Sequence, residues 1–98
     1  MYQSMMIPEF EQLVKKRGVA ILDVRETDEF QLGHIDGAVN VPLSAFPEAV
    51  EGLDKDAEYY VICHSGSRSQ MACQFLGDKG FITTNIMGGM SAWRGDIV

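Results

Sequence analysis

The length, composition and charge of the chain exclude several kinds of protein. Ninety-eight residues can form one modest hydrophobic core but not two, so residues 1–98 are expected to form a single domain. Hydrophobic residues make up 46% of the chain, yet no apolar run approaches the ~20 residues that cross a bilayer, so no membrane association is expected. The net charge of −6, with no basic cluster longer than residues 15–17, disfavours nucleic-acid binding. The N-terminal residues lack the basic and apolar segments of a secretory signal, and a cytoplasmic location is expected.

The two cysteines, Cys63 and Cys73, are too few for a disulfide framework or for a zinc site built from cysteine alone. His34 and His64 would bring the number of nominal ligands to four, but their spacing matches no zinc pattern. We therefore expect neither a metal nor another cofactor. A free thiol in a reducing compartment remains available for catalysis.

The first third of the chain predicts a helix, a strand and a second, shorter helix. Pro8 suits the first position of a helix, and three apolar residues follow at helical spacing: Phe10, Leu13 and Val14. Residues 19–24 are nearly all apolar, which is typical of a strand that is covered on both faces. A short polar helix is predicted at about residues 27–32.

The middle of the chain predicts two more strands with a short helix between them. Residues 38–41 form the first of these strands, which Pro42 closes. Residues 44–50 predict a short helix that is entered or interrupted at Pro47. Residues 59–62 are rich in amino acids that favour strands, and they predict a second buried strand.

The last third predicts an amphipathic helix, a final strand and a short terminal helix. The helix should end before Gly80, and its apolar face consists of Met71, Ala72, Phe75 and Leu76. Residues 81–87 predict the last strand, which contains a polar residue, Asn85. Gly88 and Gly89 form the turn into a short helix that carries Trp93.

This alternation of strand and helix predicts an α/β fold in which a parallel sheet has helices on both faces. Ligands of such open sheets bind beyond the carboxyl ends of the strands. Two polar clusters follow predicted strands at those ends, at residues 23–25 and at residues 63–69. The predicted fold therefore places both polar clusters where a ligand would bind.

The segment after the third predicted strand has the composition of an anion-binding loop. Its residues are Cys63, His64, Ser65, Gly66, Ser67, Arg68 and Ser69. Small residues and Gly66 allow the backbone to curl tightly, so that several N–H groups can point inward. A helix that begins near Ser67 adds the positive end of its dipole, and Arg68 adds a planar set of donors. Such surroundings lower the pKa of a thiol below its free value of ~8.5, which makes Cys63 a candidate nucleophile.

The alternative for Cys63 is a buried structural cysteine at the end of a core strand, which is the commoner role of an isolated cysteine. The combination with Gly66 and Arg68 at a helix start favours the nucleophile. His64 could protonate a leaving group, but we expect a surface residue of the loop.

Three further polar or thiol positions have structural interpretations. We expect His34 to hydrogen-bond backbone groups. Asp23 and Arg25 are candidate supporting charges beside the pocket, although an ion pair or loop anchor is the favoured interpretation. Cys73 lies one residue from the apolar positions of its helix and is expected to be a partly buried structural thiol.

The loop resembles the active-site loop of the rhodanese-like family, Cys-x-x-Gly-x-Arg, and three further segments agree with that family in order along the chain. They are Leu-Asp-Val-Arg at 22–25, Gly-His-Ile-Asp-Gly-Ala at 33–38 leading to Asn-Val-Pro-Leu at 40–43, and Gly-Gly-Met at 88–90 before Ala-Trp at 92–93. Each segment alone is a weak signal, whereas four in one order are specific. The resemblance covers essentially the whole chain.

The resemblance implies a single rhodanese-like domain over residues 1–98, a three-layer sandwich around a five-stranded parallel sheet. It also implies a sulfurtransferase that moves sulfane sulfur from thiosulfate or a persulfide donor to cyanide or a thiol. In that pattern Cys63 carries the sulfur as a persulfide and Arg68 helps the rest of the loop to bind the anion. A sulfur-relay protein is a further candidate partner.

Two other functions remain open at this point. Cysteine-dependent phosphatases and arsenate reductases share the thiolate, the ring of N–H groups and the arginine. They characteristically place five residues between cysteine and arginine, whereas four, residues 64–67, lie there in this chain. A non-catalytic protein-binding module could also use this fold, but it would have no need of a reactive thiol.

Overall fold

In the computed structural model, which describes residues 2–98, five parallel strands form one sheet in the order β1-β5-β4-β2-β3. Met1, the first residue of the predicted domain, lies outside the described residues. The strands are β1 (Gln3–Met6), β2 (Ala20–Asp23), β3 (Val39–Asn40), β4 (Glu58–Ile62) and β5 (Ile82–Met87). β4 is therefore the central strand, and every strand pair is parallel.

Helices cover both faces of the sheet. They are α1 (Ile7–Lys16), α2 (Thr27–Gln31), α3 (Ser67–Asp78) and α4 (Gly89–Ala92). The core on one face combines α3 with strand residues and includes Leu22, Val61, Ala72, Cys73 and Leu76. The core on the other face combines α1 with the alternate strand residues and includes Ile7, Phe10, Ile21, Tyr60 and Ile62. The predicted three-layer α/β sandwich is confirmed.

The buried face of α3 differs from the predicted one. Met71 is 63% exposed, so its assignment to the apolar face was wrong. Ser69, Ala72, Cys73 and Leu76 are the buried residues of the helix. Positions 69, 73 and 76 form one stripe at helical spacing, and this stripe begins with a serine that a search for apolar residues passes over.

The connection between β3 and β4 also differs from its prediction. Instead of one short helix at 44–50, the chain forms two 3₁₀ helices, Leu43–Ala45 and Glu48–Gly52. Pro47 lies between them, and a proline has no N–H with which to continue the hydrogen bonds of a helix. Trp93 directly follows α4 rather than lying within it. No helix among residues 2–98 is long and apolar enough to span a membrane.

The register of β2 and β4 brings the two polar clusters to one edge of the sheet. Asp23 at the end of β2 pairs with Ile62 at the end of β4. The backbone N–H of Val24 donates to the carbonyl of Ile62 at 2.9 Å. The segments that follow, one with Arg25 and one with Cys63, therefore leave the sheet side by side at its carboxyl edge.

Candidate active site

Cys63 follows the central strand directly, and its side chain points into the loop that leads to α3. The N–H of Gly66 donates to Cys63 Sγ at 3.0 Å, and Ser69 Oγ lies 3.4 Å from the same sulfur. Gly66 has a φ of +110°, a left-handed conformation that glycine adopts without a steric penalty. This glycine turns the backbone so that its N–H faces the thiol and α3 can begin at the next residue.

Hydrogen bonds in the loop favour the thiolate form of Cys63. Burial by itself raises the pKa of the Cys63 thiol. The hydrogen bond with the Ser69 side chain and those from the backbone of Ser69, Gly66 and Ser65 outweigh that effect, so the pKa of Cys63 is lowered below its ordinary value. The arrangement holds a negative charge at the sulfur with donors of the loop itself.

The short helix α4 holds the outer side of the loop. The N–H of Met90 donates to the Cys63 carbonyl and that of Ser91 to the His64 carbonyl, both at 2.8 Å. Gly89 makes this approach possible, because a Cβ there would lie 2.6 Å from the His64 carbonyl oxygen and closer still to that of Cys63. The carbonyl groups of Cys63 and His64 are thus directed toward α4.

The guanidinium of Arg68 binds Glu29, a residue of α2. Arg68 donates to the two carboxylate oxygens at 2.5 and 2.9 Å, and both side chains are about one third exposed. The hydrogen bond from Arg68 is the main reason why the pKa of Glu29 is lowered from 4.5 to about 2. The predicted role of Arg68 in binding an anion therefore involves a cation that already has a carboxylate partner.

Asp23 and Arg25 form a buried ion pair, as favoured from the sequence. Arg25 Nη2 lies 2.7 Å from Asp23 Oδ2 and also donates to the Gly33 carbonyl at 2.8 Å. The side-chain amide of Asn40 donates to the backbone carbonyls of both residues at 2.9 Å. The pair anchors the segment that follows β2 beside the cysteine loop.

The structure places the remaining predicted residues in three settings. His64, Ser65 and Ser67 are exposed on the outer surface of the loop. His34 Nδ1 lies 2.8 Å from the Phe30 carbonyl, which confirms its backbone hydrogen bond. Cys73 is fully buried rather than partly buried, and burial raises the pKa of its thiol to about 11.

Asn85 is a site residue that the sequence analysis did not assign. Ser69 Oγ donates to Asn85 Oδ1 at 2.5 Å, and Asn85 Nδ2 lies 3.3 Å from the Gly66 carbonyl. The available signal was an asparagine inside an otherwise buried strand. Such a residue requires hydrogen-bond partners that only the fold can supply.

A cavity of about 470 Å³ opens beside the loop at His64. Its charged lining residues are Arg25, Glu29 and Arg94, and its apolar lining includes Leu32, Met90, Trp93 and Ile97. A small anion or the side chain of a partner protein would fit in this space. Cys63 does not line the cavity, because its residue is fully buried in this structure.

A cysteine with a lowered pKa that accepts a hydrogen bond from a loop N–H at the carboxyl edge of a parallel sheet is the arrangement of a cysteine-dependent group-transfer site. The particular family follows from comparison with known proteins. The family model described as the rhodanese-like domain matches residues 6–96, and the chain belongs to this family.

Individual relatives agree with the family model. YtwF of Bacillus subtilis is provisionally named a sulfurtransferase. It is 47% identical over 76 residues, which cover 78% of this chain and 74% of YtwF. The thiosulfate sulfurtransferase GlpE of Shewanella oneidensis is 32% identical over 95% of this chain and 93% of its own. The crystal structure of a rhodanese-related protein from Thermoplasma volcanium superposes with a TM-score of 0.90 at 32% identity, covering 99% and 98% of the two chains.

Proposed function

We propose that this protein is a sulfurtransferase in which Cys63 carries sulfane sulfur as a persulfide. The donor is thiosulfate or another small anionic or persulfide compound, and the acceptor is cyanide or a thiol, including the thiol of a sulfur-relay protein. The observation that carries the proposal is the set of loop hydrogen bonds at Cys63 Sγ, which lowers the pKa of this thiol. Family membership and the named relatives support the same activity.

The chemistry requires two displacements at sulfur. In the first, the Cys63 thiolate attacks the outer sulfur of thiosulfate, a new S–S bond forms, and sulfite leaves with the electrons of the broken S–S bond. In the second, the acceptor attacks the terminal sulfur of the persulfide, and the Cys63 thiolate leaves. Both forms of the enzyme carry negative charge at this position, so the inward N–H groups serve both steps.

Access to the sulfur is part of this proposal. Cys63 has no exposed surface, whereas the next two residues of the loop, His64 and Ser65, are exposed. A donor therefore reaches Sγ only when the residues that cover it move. The 470 Å³ cavity at His64 is the side from which a donor would approach.

Intact-mass measurement tests the proposal. After exposure to thiosulfate, the protein should gain the mass of one sulfur atom, and a reducing agent should remove it. Cys63→Ser should gain no mass and should show only background transfer to cyanide, whereas the matched variant Cys73→Ala should behave like the unmodified protein. Full transfer activity in Cys63→Ser would exclude the proposed nucleophile.

A further inference from the structure

Two buried polar side chains connect the sulfur of Cys63 to the backbone of its own loop. Ser69 Oγ lies 3.4 Å from Cys63 Sγ and donates to Asn85 Oδ1 at 2.5 Å. Asn85 Nδ2 lies 3.3 Å from the carbonyl oxygen of Gly66. Ser69 is fully buried and Asn85 is 4% exposed, so solvent does not offer alternative partners.

The donor and acceptor chemistry of these groups determines the direction of each hydrogen bond between Cys63 and the Gly66 carbonyl. A carbonyl oxygen only accepts, so the Asn85 amide must turn its NH₂ toward Gly66. Asn85 Oδ1 then faces Ser69, and the single hydroxyl proton of Ser69 is used to reach it. Ser69 consequently presents a lone pair to Cys63, which suits a protonated thiol that donates to it.

When Cys63 is a thiolate, its sulfur needs hydrogen-bond donors instead of an acceptor. The sulfur then has no proton and requires donors, and the Ser69 hydroxyl can help only if its proton turns from Asn85 to Sγ. That rotation leaves the buried Asn85 Oδ1 without a donor, which carries the cost of an unsatisfied buried acceptor. The Ser69 hydroxyl can therefore donate its one proton either to Asn85 or to the thiolate, but not to both.

We propose that Asn85 is a positioning residue that holds the Ser69 proton away from Cys63 whenever the sulfur carries no charge, and so limits the population of the free thiolate. The inference rests on the proposed function, because it concerns the same nucleophile. In the persulfide the charge lies on the terminal sulfur, and Sγ no longer competes for the Ser69 proton. Asn85 thus favours the protonated and sulfur-loaded forms of Cys63 over the bare thiolate.

Other charges also face Cys63, and the test must separate their effects from that of Asn85. Arg68 and Cys73 interact electrostatically with Cys63 from α3. His64 is the next residue in the loop, and the Asp23–Arg25 ion pair lies at the end of the neighbouring strand β2. None of these groups is changed by substitution at Asn85. A change in the pH titration of Cys63 in an Asn85 variant therefore reports on the Ser69 proton.

The test is the ultraviolet absorbance of the Cys63 thiolate as a function of pH, measured as the difference from the same protein carrying Cys63→Ser. Asn85→Leu frees the Ser69 hydroxyl to donate to the thiolate, so the thiolate fraction below its midpoint should rise roughly 2- to 10-fold, the range of one net hydrogen bond. Ser69→Ala added to Asn85→Leu removes the freed donor, so the double variant should lose this rise. Loss of the rise is the diagnostic result, because a general disruption of the site by Asn85→Leu would persist in the double variant.

Controls keep the outcome interpretable. Thr84→Val changes a buried polar residue of the same strand that faces the other side of the sheet, and it should leave the titration unchanged. Asn85→Ala replaces Asn85→Leu if the leucine variant does not fold. It has a smaller side chain and is expected to give the same result. An Asn85 variant that lowers the thiolate fraction, or leaves it unchanged, would overturn the inference.

The titration does not depend on sulfur transfer. A protein that shows the predicted titration shifts but gains no sulfur from thiosulfate would contradict the proposed function and leave the role of Asn85 intact. A protein that is loaded with sulfur but does not show these shifts would contradict only the role of Asn85.

Discussion

Arg68 and Glu29 form an ion pair with two hydrogen bonds that joins the first turn of α3 to the helix α2, although the two residues are 39 positions apart in the chain. The cation of the cysteine loop is thus held by a carboxylate of the protein. An anionic sulfur donor that uses Arg68 must compete with Glu29 for the guanidinium, or bind to its remaining N–H groups. Glu29 is therefore expected to weaken the binding of thiosulfate.

Replacement of Glu29 tests this competition. Glu29→Gln removes the negative charge that competes for Arg68, so the KM for thiosulfate should fall severalfold, within the roughly 1 kcal/mol that a partly exposed ion pair represents. Steady-state transfer to cyanide measures it. Asp36→Asn removes the same charge from an exposed position and controls for a general effect of net charge. An unchanged or higher KM in Glu29→Gln would show that Glu29 does not compete.

Replacement of Arg68 should have the opposite effect. Arg68→Ala removes the cation, so we expect a higher KM for thiosulfate and slower persulfide formation. Arg68→Lys keeps the charge but not the planar pair of donors, so it should restore the activity only in part. Unchanged kinetics in both variants, with the fold intact, would indicate that backbone N–H groups alone bind the anion.

The same ion pair predicts a dependence of stability on pH. The pKa of Glu29 is lowered to about 2 in the folded protein, against an ordinary value of 4.5, so the folded state binds this proton less tightly than the unfolded state. Its contribution to stability is fully present above pH 4.5 and is lost as the pH falls through about 2. Because the pair is about one third exposed, the contribution should be less than about 1 kcal/mol.

Urea unfolding measures this contribution as the difference between the unmodified protein and Glu29→Gln. The difference should be present at neutral pH and should disappear near pH 2. A difference that stays constant over this range would mean that the ion pair does not stabilise the fold. Asp36 makes no ion pair among residues 2–98, so the stability difference caused by Asp36→Asn should not follow this pattern.

Cys73 should take no part in sulfur transfer. Its thiol is fully buried and burial raises its pKa to about 11, so it is almost entirely protonated at neutral pH. Ser69, which contacts the Cys63 sulfur, lies one helical turn before Cys73, or about 6 Å along the axis. Cys73→Ala should retain full transfer activity and lose about 1 kcal/mol of stability. Peptide mapping that finds a Cys63–Cys73 disulfide in mildly oxidised native protein would contradict this prediction.

The sequence was sufficient to predict features that depend on neighbouring residues. Gly66 and the start of α3 at Ser67 are properties of a short segment, so the loop around Cys63 could be located before its structure was known. The Asp23–Arg25 pair joins residues two positions apart and was predictable for the same reason. Alternation of strand and helix was likewise sufficient for four of the five strands, whereas β1 at Gln3–Met6 was not predicted from the residues.

Features that depend on distant residues could not be predicted in this way. The partner of Arg68 lies on α2, and Asn85 of β5 reaches Ser69 of α3, so both contacts exist only after the sheet and its helices have assembled. The error at Met71 has a related cause. The buried stripe of α3 is set by the residues beneath it, which accept a serine and a cysteine in place of the more apolar methionine.

Gly89 should tolerate no side chain. A Cβ at this position would collide with the carbonyl groups of Cys63 and His64, and its φ of +57° disfavours other residues. Gly89→Ala should therefore cost roughly 1–3 kcal/mol of stability and reduce sulfur transfer, because the cysteine loop must shift. Gly52→Ala adds a Cβ into open space and is the matched control for thermal unfolding and activity. Normal activity in Gly89→Ala would show that α4 does not position the loop.

The size of the cysteine loop separates sulfur transfer from phosphate chemistry. Four residues, 64–67, lie between Cys63 and Arg68, and the Gly66 N–H already lies 3.0 Å from the sulfur. The terminus of a persulfide is one atom, whereas a transferred phosphoryl group presents three oxygens that all need donors. A ring this short should accept the first group and crowd the second. We therefore expect measurable transfer from thiosulfate to cyanide and no meaningful hydrolysis of aryl phosphates at the same enzyme concentration.

Lengthening the loop tests the geometric reason for this selectivity. One glycine inserted between Gly66 and Ser67 adds a residue before α3 begins, so it should widen the ring, depress sulfur transfer and admit weak phosphatase activity. A glycine inserted between Asp56 and Ala57, in the turn before β4, controls for the effect of an insertion itself. Efficient hydrolysis of phosphate esters by the unmodified protein, through Cys63 and without sulfur transfer, would make it a phosphatase. Such a result would also show that the number of residues between cysteine and arginine does not determine which anion the loop accepts.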